Sequence, residues 1–164
     1  DPGAAGEVTA AVRDAVAGRM PILVKLSPNV TDVAAVARAV AANGADGISA
    51  INTLTGMIID VHAARPILAN RTGGLSGPAI RPLAVRCVWQ IYEAVDLPIV
   101  GMGGVSGGRD AAEMIMAGAT AVGVGSAVYD EGPEVFGRIC GELAALMDEL
   151  GYSSPAEMRG VAHR

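Results

Sequence analysis

Two short apolar runs of this 164-residue chain end in clusters of glycine, GMGG at 101–104 and GVGS at 123–126. Because glycine has no Cβ, the backbone N–H groups of such clusters can approach an anion closely, and loops of this kind commonly bind phosphate. Glycines that serve only tight turns are the alternative interpretation. A dinucleotide-binding fingerprint fits less well, because Ser106 stands where GxGxxG would have its third glycine and no acidic residue closes a following strand.

Lys25 is a charged residue inside an otherwise apolar run, ILVKL at 22–26. Removing an ammonium group from water costs several kcal/mol unless an anionic group receives it. We therefore expect an anionic partner, either the pyrimidine edge of a reduced flavin or a substrate carboxylate. A Schiff-base amine is a second interpretation, and a lysine that points to solvent at a strand end is a third.

Asn52 and Thr53 follow another β-branched run and offer amide and hydroxyl groups, which suit a planar ring bearing several C=O and N–H groups. The segment NRTGGLSG at 70–77 precedes a long helical pattern, whose first free N–H groups could contact a ligand; a flexible lid fits this segment equally well. No metal site is predicted, because His62 and His163 have no second ligand at metal spacing.

Alternation of short β-branched runs with segments of helical period predicts βα units around a parallel sheet. The predicted strands are 22–26, 48–51, 99–101 and 121–124. The predicted helices are 4–17, 32–43, 77–95, 108–118 and 133–150. Parallel strands are usually covered on both faces, so we expect a sheet buried on both sides. Residues 52–76, rich in Gly, Thr and Asn, form a long loop of the kind that usually carries function.

Four βα units with one leading helix correspond to about half of a (β/α)₈ TIM barrel, which takes roughly 250 residues. The predicted fold class is therefore α/β, with residues 1–164 as the C-terminal half of a single barrel domain whose N-terminal half is absent. The outer strands of half a barrel have unpaired edges, so we expect these residues alone to be poorly soluble or to self-associate.

The composition argues against several classes of partner. The net charge is −5 and no block of like charge occurs, so neither nucleic acid nor an anionic membrane surface is an expected partner. Apolar residues make up 51% of the chain, but no uncharged apolar stretch approaches the length of about 20 residues that spans a bilayer. Cys87 and Cys140 are isolated from each other and are read as small apolar residues of helices.

Five motifs in order resemble the dihydroorotate dehydrogenases of class 1, subtype B: VKLSPN (24–29), INT (51–53), RPILANRTGGLSGPAIRP (65–82), GMGGV (101–105) and GATAVGVGSA (118–127). The resemblance implies a cytoplasmic FMN enzyme that oxidises dihydroorotate to orotate in de novo pyrimidine (UMP) biosynthesis. It further implies a homodimer core and a second subunit that carries FAD and a [2Fe–2S] cluster and passes electrons to NAD⁺.

The resemblance also implies roles for individual residues. Lys25 matches the lysine at the N1/O2 edge of the flavin, and Asn52 with Thr53 matches the pair that hydrogen-bonds the orotate ring. The other matched positions are flavin contacts, the last four around the phosphate: Ile51, Gly77, Gly103, Gly104, Gly125 and Ser126. At position 126 the family more often has Thr, and Ser keeps the hydroxyl.

The catalytic base of the family is a cysteine on a loop of the N-terminal half, and neither Cys87 nor Cys140 matches its motif. No catalytic residue is therefore assigned, and we expect these residues alone to be inactive and to bind FMN weakly. Two other functions stay open. The FMN-binding barrel of dihydropyrimidine dehydrogenase has similar VKL-PN and INT motifs, although GMGGV favours the first family, and a phosphate-binding barrel lyase would use Lys25 as its Schiff-base nucleophile.

Overall fold

The computed structural model describes residues 1–164. The strands are β1 (Leu23–Leu26), β2 (Gly47–Ala50), β3 (Leu54–Gly56), β4 (Ile59–Asp60), β5 (Arg65–Pro66), β6 (Gly73–Leu75), β7 (Ile99–Met102) and β8 (Ala121–Gly123). The α-helices are α1 (Pro2–Val16), α2 (Val33–Ala42), α3 (Arg81–Ala94), α4 (Gly108–Met116), α5 (Ala127–Glu131), α6 (Glu134–Leu150) and α7 (Pro155–Met158). Short 3₁₀ turns occupy Pro78–Ile80 and Val161–His163.

The central sheet has four parallel strands in the order β1-β2-β7-β8. Its register places Lys25 beside Ser49, Ser49 beside Val100, and Val100 beside Ala121. All four strands therefore end at the same edge of the sheet. This arrangement confirms the predicted βα units and is that of half a (β/α)₈ barrel.

Helices cover one face of the sheet and form the main core with it. Ile48 of β2 and Ile99 of β7 are fully buried there against Val88 and Ile91 of α3 and Met114 of α4. Ile48 and Ile99 are register partners on adjacent strands, so their side chains lie on the same face of the sheet. The core is aliphatic because the chain has only one Trp, three Tyr and one Phe.

The other face of the sheet is exposed at the edge strand β1, so the expectation that both faces are buried is wrong for this strand, although Ser49 of β2 is buried. Leu23 of β1 points to this face and is 54% exposed, and Lys25 on the same face is also exposed. A side chain at Gly123 would contact Val100 and Met102, which places these residues on the open face as well. The reason is that every helix packed on the sheet lies on the opposite face.

The helix boundaries follow their local signals. α2 begins after Asp32, whose Oδ1 accepts a hydrogen bond from the Ala35 N–H at 2.9 Å. α3 begins at Arg81 rather than at 77, because Gly77 has φ 89° and the residues between form a 3₁₀ turn.

The C-terminal segment, for which no helix was predicted, packs against α3. The His163 ring stacks there on the Trp89 ring, with the ring centroids 3.6 Å apart.

The long loop at 52–76 contains two small antiparallel ladders, β3 with β6 and β4 with β5. The loop was predicted, but its strands were not, because runs of two or three residues show no periodicity. Most of the exposed large apolar side chains of this segment lie in or directly beside the β4–β5 ladder: Met57, Ile58, Ile59, Val61, Ile67 and Leu68. None of the helices combines the length and the apolar character that a membrane span requires.

Candidate functional site

A cleft of about 290 Å³ lies at the carboxyl ends of the four parallel strands. All nine residues selected from the sequence line it: Lys25, Ile51, Asn52, Thr53, Gly77, Gly103, Gly104, Gly125 and Ser126. They come from five separate segments of the chain, and the fold brings them together because strand ends of a parallel sheet meet at one edge. A larger hollow of about 520 Å³ lies at the opposite end of β7 and contains none of them.

Lys25 reaches the cleft from β1, the edge strand of the sheet. Its side chain is exposed, as in the interpretation of a lysine that points to solvent at a strand end, because the face of β1 that carries it is open. Among the ion pairs of the chain none involves Lys25, so its ammonium group is available to an anion from outside the chain. It is also the only lysine of these 164 residues.

Asn52 and Thr53 follow β2 and mark the boundary between the cleft and a second, wholly polar hollow of similar size. Asn52 Oδ1 accepts a hydrogen bond from the Thr53 N–H at 2.8 Å, which leaves the Asn52 amide N–H groups free to donate. The second hollow has no apolar lining residue and is formed by Ser27, Asn29, Asn52, Thr53, Thr55, Thr72, Gly73 and Gly74. This arrangement can hold a small polar ring by several hydrogen bonds.

Ile51 supplies an apolar wall, since it is 3% exposed and packs in the main core. Its backbone N–H donates to the Met102 carbonyl oxygen at 2.8 Å, which ties the loop after β2 to the end of β7. The peptide bond between Ala50 and Ile51 is cis.

Glycine is required at position 104 because two loops come very close to each other there. Gly104 has φ 73°, and a Cβ there would lie 2.6 Å from the Gly77 carbonyl oxygen and 2.9 Å from the Arg81 nitrogen. Gly103, with φ 131°, is similarly confined by Ala84. The structural reading of glycine therefore accounts for these two positions without any ligand, although their backbone still lines the cleft.

Gly125 differs from the other glycines of the cleft. A Cβ at this position would meet no atom of the chain within 4 Å, and its φ lies outside the left-handed region. Neither packing nor backbone conformation thus requires glycine here, and the space beside it opens into the cleft. Ser126 follows at the start of the short helix α5, which was not predicted from the sequence, and its Oγ lies 4.0 Å from where a Gly77 Cβ would stand.

The sequence analysis did not predict the buried carboxylate of Asp110, which lies behind the cleft. Asp110 is 8% exposed; its Oδ2 accepts from the Ser106 N–H and hydroxyl, both at 2.9 Å, and its Oδ1 accepts from Arg81 Nη1 at 2.5 Å. The only signal was an acid in the first turn of a helix, which usually indicates no more than a favourable interaction with the helix dipole.

Neither cysteine reaches the cleft. Cys87 lies in the core on α3, where burial raises the pKa of its thiol, and Cys140 is exposed on α6. No group of three or more His, Cys, Asp or Glu side chains is arranged to hold a metal ion.

Comparison with known proteins gives consistent matches along the chain. The sequence model of the family named Dihydroorotate dehydrogenase matches residues 1–147. A protein of Methanothermobacter thermautotrophicus named "Dihydroorotate dehydrogenase B (NAD(+)), catalytic subunit" is 51% identical, over 99% of this chain and 54% of its own length. Proteins of the same name from Anoxybacillus flavithermus and Methanosarcina acetivorans are 50% and 47% identical, over 97% and 95% of this chain and 50% and 49% of their own lengths. The chain thus spans about half the length of the curated relatives it matches.

Proposed function

The chain belongs to the dihydroorotate dehydrogenase family, and from this premise we propose that it supplies the C-terminal half of the flavin site of an enzyme that oxidises dihydroorotate to orotate in pyrimidine biosynthesis. Residues 1–164 would form one half of a single FMN-binding barrel domain. The observation that carries the proposal is the cleft in which the lysine, the Asn-Thr pair and the glycine loops meet.

The residues of the cleft fit FMN in their chemistry. The open space beside Gly125 can admit a phosphate or ribityl group to the backbone, with the Ser126 hydroxyl next to it. Gly77, Gly103 and Gly104 offer backbone to the same ligand, and Ile51 offers apolar surface to its ring. When bound, FMN supplies the two-electron acceptor for the oxidation.

Lys25 would hold its positive charge beside the pyrimidine edge of the ring, where negative charge develops on reduction. Because it has no carboxylate partner within the chain, its ammonium group is not neutralised before the ligand binds. A fixed positive charge at the atom where charge develops lowers the barrier without reorganisation.

Asn52 and Thr53 would orient the substrate ring. The Asn52 Oδ1 is already engaged by the Thr53 N–H, so the Asn52 side chain acts as a donor to ring carbonyl oxygens, while the Thr53 hydroxyl can donate or accept. Neither cysteine of the chain serves as the base that removes the C5 proton, since neither reaches the cleft.

The whole enzyme we propose has further parts. They are a homodimer core, a partner subunit with FAD and a [2Fe–2S] cluster, transfer of electrons to NAD⁺, and a cytoplasmic location. The support for the partner and the acceptor is the name of the relatives, which describes them as catalytic subunits of an NAD(+) enzyme.

The test is anaerobic titration of the purified holoprotein. We expect it to carry FMN and to lose the visible absorption band of the oxidised flavin on addition of dihydroorotate. Bleaching by dihydrouracil with no response to dihydroorotate would instead identify a dihydropyrimidine dehydrogenase. A colourless protein in which borohydride traps a carbonyl substrate on Lys25 would identify a lyase.

A further inference from the structure

We infer that Asp110 and Arg138 are positioning residues that hold Ser106 from two sides and thereby fix the spacing of three loops that line the cleft. The inference rests on the proposed function, because it assumes that those loops contact FMN. The three loops are the turn at 77–81, the loop at 103–107 after β7, and the segment from Gly125 into α5.

Ser106 has every polar group of its backbone and side chain engaged. Its N–H and hydroxyl both donate to Asp110 Oδ2 at 2.9 Å, and its carbonyl oxygen accepts from Arg138 Nη2 at 3.0 Å. Ser106 itself does not line the cleft. A loop residue with no ligand contact and a complete set of hydrogen bonds is suited to fixing the position of its neighbours, Gly103 and Gly104.

Asp110 joins this loop to the turn before α3. Its second oxygen, Oδ1, accepts from Arg81 Nη1 at 2.5 Å, and Arg81 is the first residue of α3. The two loops meet at their backbones, since a Cβ on Gly104 would lie 2.6 Å from the Gly77 carbonyl oxygen. A shift of either loop therefore changes the distance between two segments that face the same ligand.

Arg138 joins the same loop to α5. Its guanidinium donates to Glu131 Oε1 and Oε2 at 2.6 and 2.8 Å and to Glu142 Oε1 at 2.6 Å, in addition to the Ser106 carbonyl oxygen. Glu131 is the last residue of α5, the helix that follows Ser126. Glu142 also accepts from the Gly108 N–H at 2.7 Å, so α4 and α6 are tied at the same point.

The substitution Asp110→Asn is a sharp test because both oxygens of Asp110 face donors. An asparagine has the same shape, but its NH₂ group must point either at Arg81 or at Ser106, where it meets another donor. Glu113→Gln is the matched control. Glu113 accepts from Arg81 Nε at 3.0 Å but does not contact Ser106, and its side chain is 44% exposed.

The experiment measures FMN affinity of the holoprotein after removal and return of the flavin, and hydrogen exchange of the flavin-free protein. For Asp110→Asn we expect a Kd for FMN at least tenfold higher, a shifted visible spectrum of the bound flavin, and faster exchange confined to 77–81 and 103–107. For Glu113→Gln we expect a change in Kd of less than twofold. Ser106→Ala, which removes one hydroxyl and keeps the fold, should raise the Kd about twofold to fivefold.

A merely structural role gives a different result. If Asp110→Asn lowers the thermal midpoint while the folded variant binds FMN with the wild-type Kd and spectrum, the inference is overturned. If Asp110→Asn does not fold, an unchanged Kd and spectrum in Ser106→Ala overturns it instead. If the wild-type protein binds no FMN, the proposed function fails, and hydrogen exchange decides the positioning role by itself: unchanged exchange at 103–107 in Asp110→Asn rules it out.

Discussion

The Asn29 side chain donates a hydrogen bond from Nδ2 to the carbonyl oxygen of Thr53, 3.0 Å away. Its Oδ1 accepts from the Thr55 N–H at 2.9 Å, so one side-chain amide pairs with the backbone on both sides of Leu54. Asn29 belongs to the loop after β1 and Thr53 to the loop after β2. The pairing thus fixes the Asn52-Thr53 segment relative to the strand that carries Lys25.

Replacing Asn29 by Ala should weaken binding of orotate. Each hydrogen bond contributes about 0.5 to 1.5 kcal/mol, so loss of the pairing should raise the Kd of orotate roughly threefold to tenfold through misplacement of the ring-binding segment. The change in the flavin spectrum on titration with orotate measures this Kd. Asn43→Ala provides the control, because the side chain of Asn43 donates only to the Ala39 carbonyl oxygen of α2. Equal affinities in both variants would show that Asn29 does not position Asn52 and Thr53.

Replacing Gly125 by Ala should separate ligand binding from folding. A Cβ there meets nothing in the chain, so we expect an unchanged thermal midpoint of the flavin-free protein but a raised Kd for FMN. Gly104→Ala should lower both stability and affinity, because φ 73° and the carbonyl oxygen of Gly77 oppose a side chain there. Thermal unfolding and flavin fluorescence titration of the two variants test the contrast, and normal FMN affinity in Gly125→Ala would remove Gly125 from the flavin site.

Replacing Lys25 by Ala should slow reduction of the bound flavin. Loss of a single preorganised electrostatic group typically costs about 2 to 4 kcal/mol of activation free energy. Stopped-flow reduction by dihydroorotate under anaerobic conditions measures the effect, and Lys25→Arg, which keeps the charge, should recover part of the rate. Wild-type reduction rates in the alanine variant would mean that the lysine does not face the ring.

Stability should fall in acid partly through Glu142. The Gly108 N–H and the Arg138 guanidinium hold the pKa of the Glu142 carboxyl below its usual value in the folded chain. The unfolded chain therefore binds more protons as the pH falls below about 4.5, so the contribution of Glu142 is complete above that pH and is lost as the pH drops through the lower, folded-state pKa.

Urea unfolding at several pH values tests this assignment. Glu142→Gln should be less stable than wild type near neutral pH and should lose less stability between about pH 5 and pH 3. Glu149→Gln, on the same helix and outside every ion pair, should keep the wild-type dependence. An identical acid dependence in wild type and Glu142→Gln would contradict the role of this carboxylate.

The sequence identified the strand ends well, because a residue that closes a parallel strand needs no long-range information to be placed at the carboxyl edge. Lys25, Asn52 and the two glycine clusters meet in the cleft for this reason. The expectation that both faces of β1 are covered failed, and the choice among the interpretations of Lys25 stayed open, because local sequence does not report what covers the second face of a strand.

Local sequence patterns also could not predict the hydrogen bonds that join Asp110, Arg138 and Ser106 behind the cleft, because these bonds link residues far apart in the sequence. Asp110 bonds to Arg81, 29 positions earlier, and Arg138 bonds to Ser106, 32 positions earlier. Asp110 and Arg81, taken alone, resemble ordinary charged residues in the first turn of a helix. Only the crossing of α3, α4 and α6 makes them neighbours, and that crossing is a property of the tertiary fold.

Lys25 and Ser126 belong to opposite margins of the four-stranded sheet, the first on β1 and the second just after β8. Three strand-to-strand steps of about 4.8 Å separate these margins, which makes a span of roughly 14 Å. A ligand such as FMN, whose phosphate is separated from its ring by a ribityl chain, is long enough to contact both margins. The width of the sheet therefore favours an elongated ligand over a compact one.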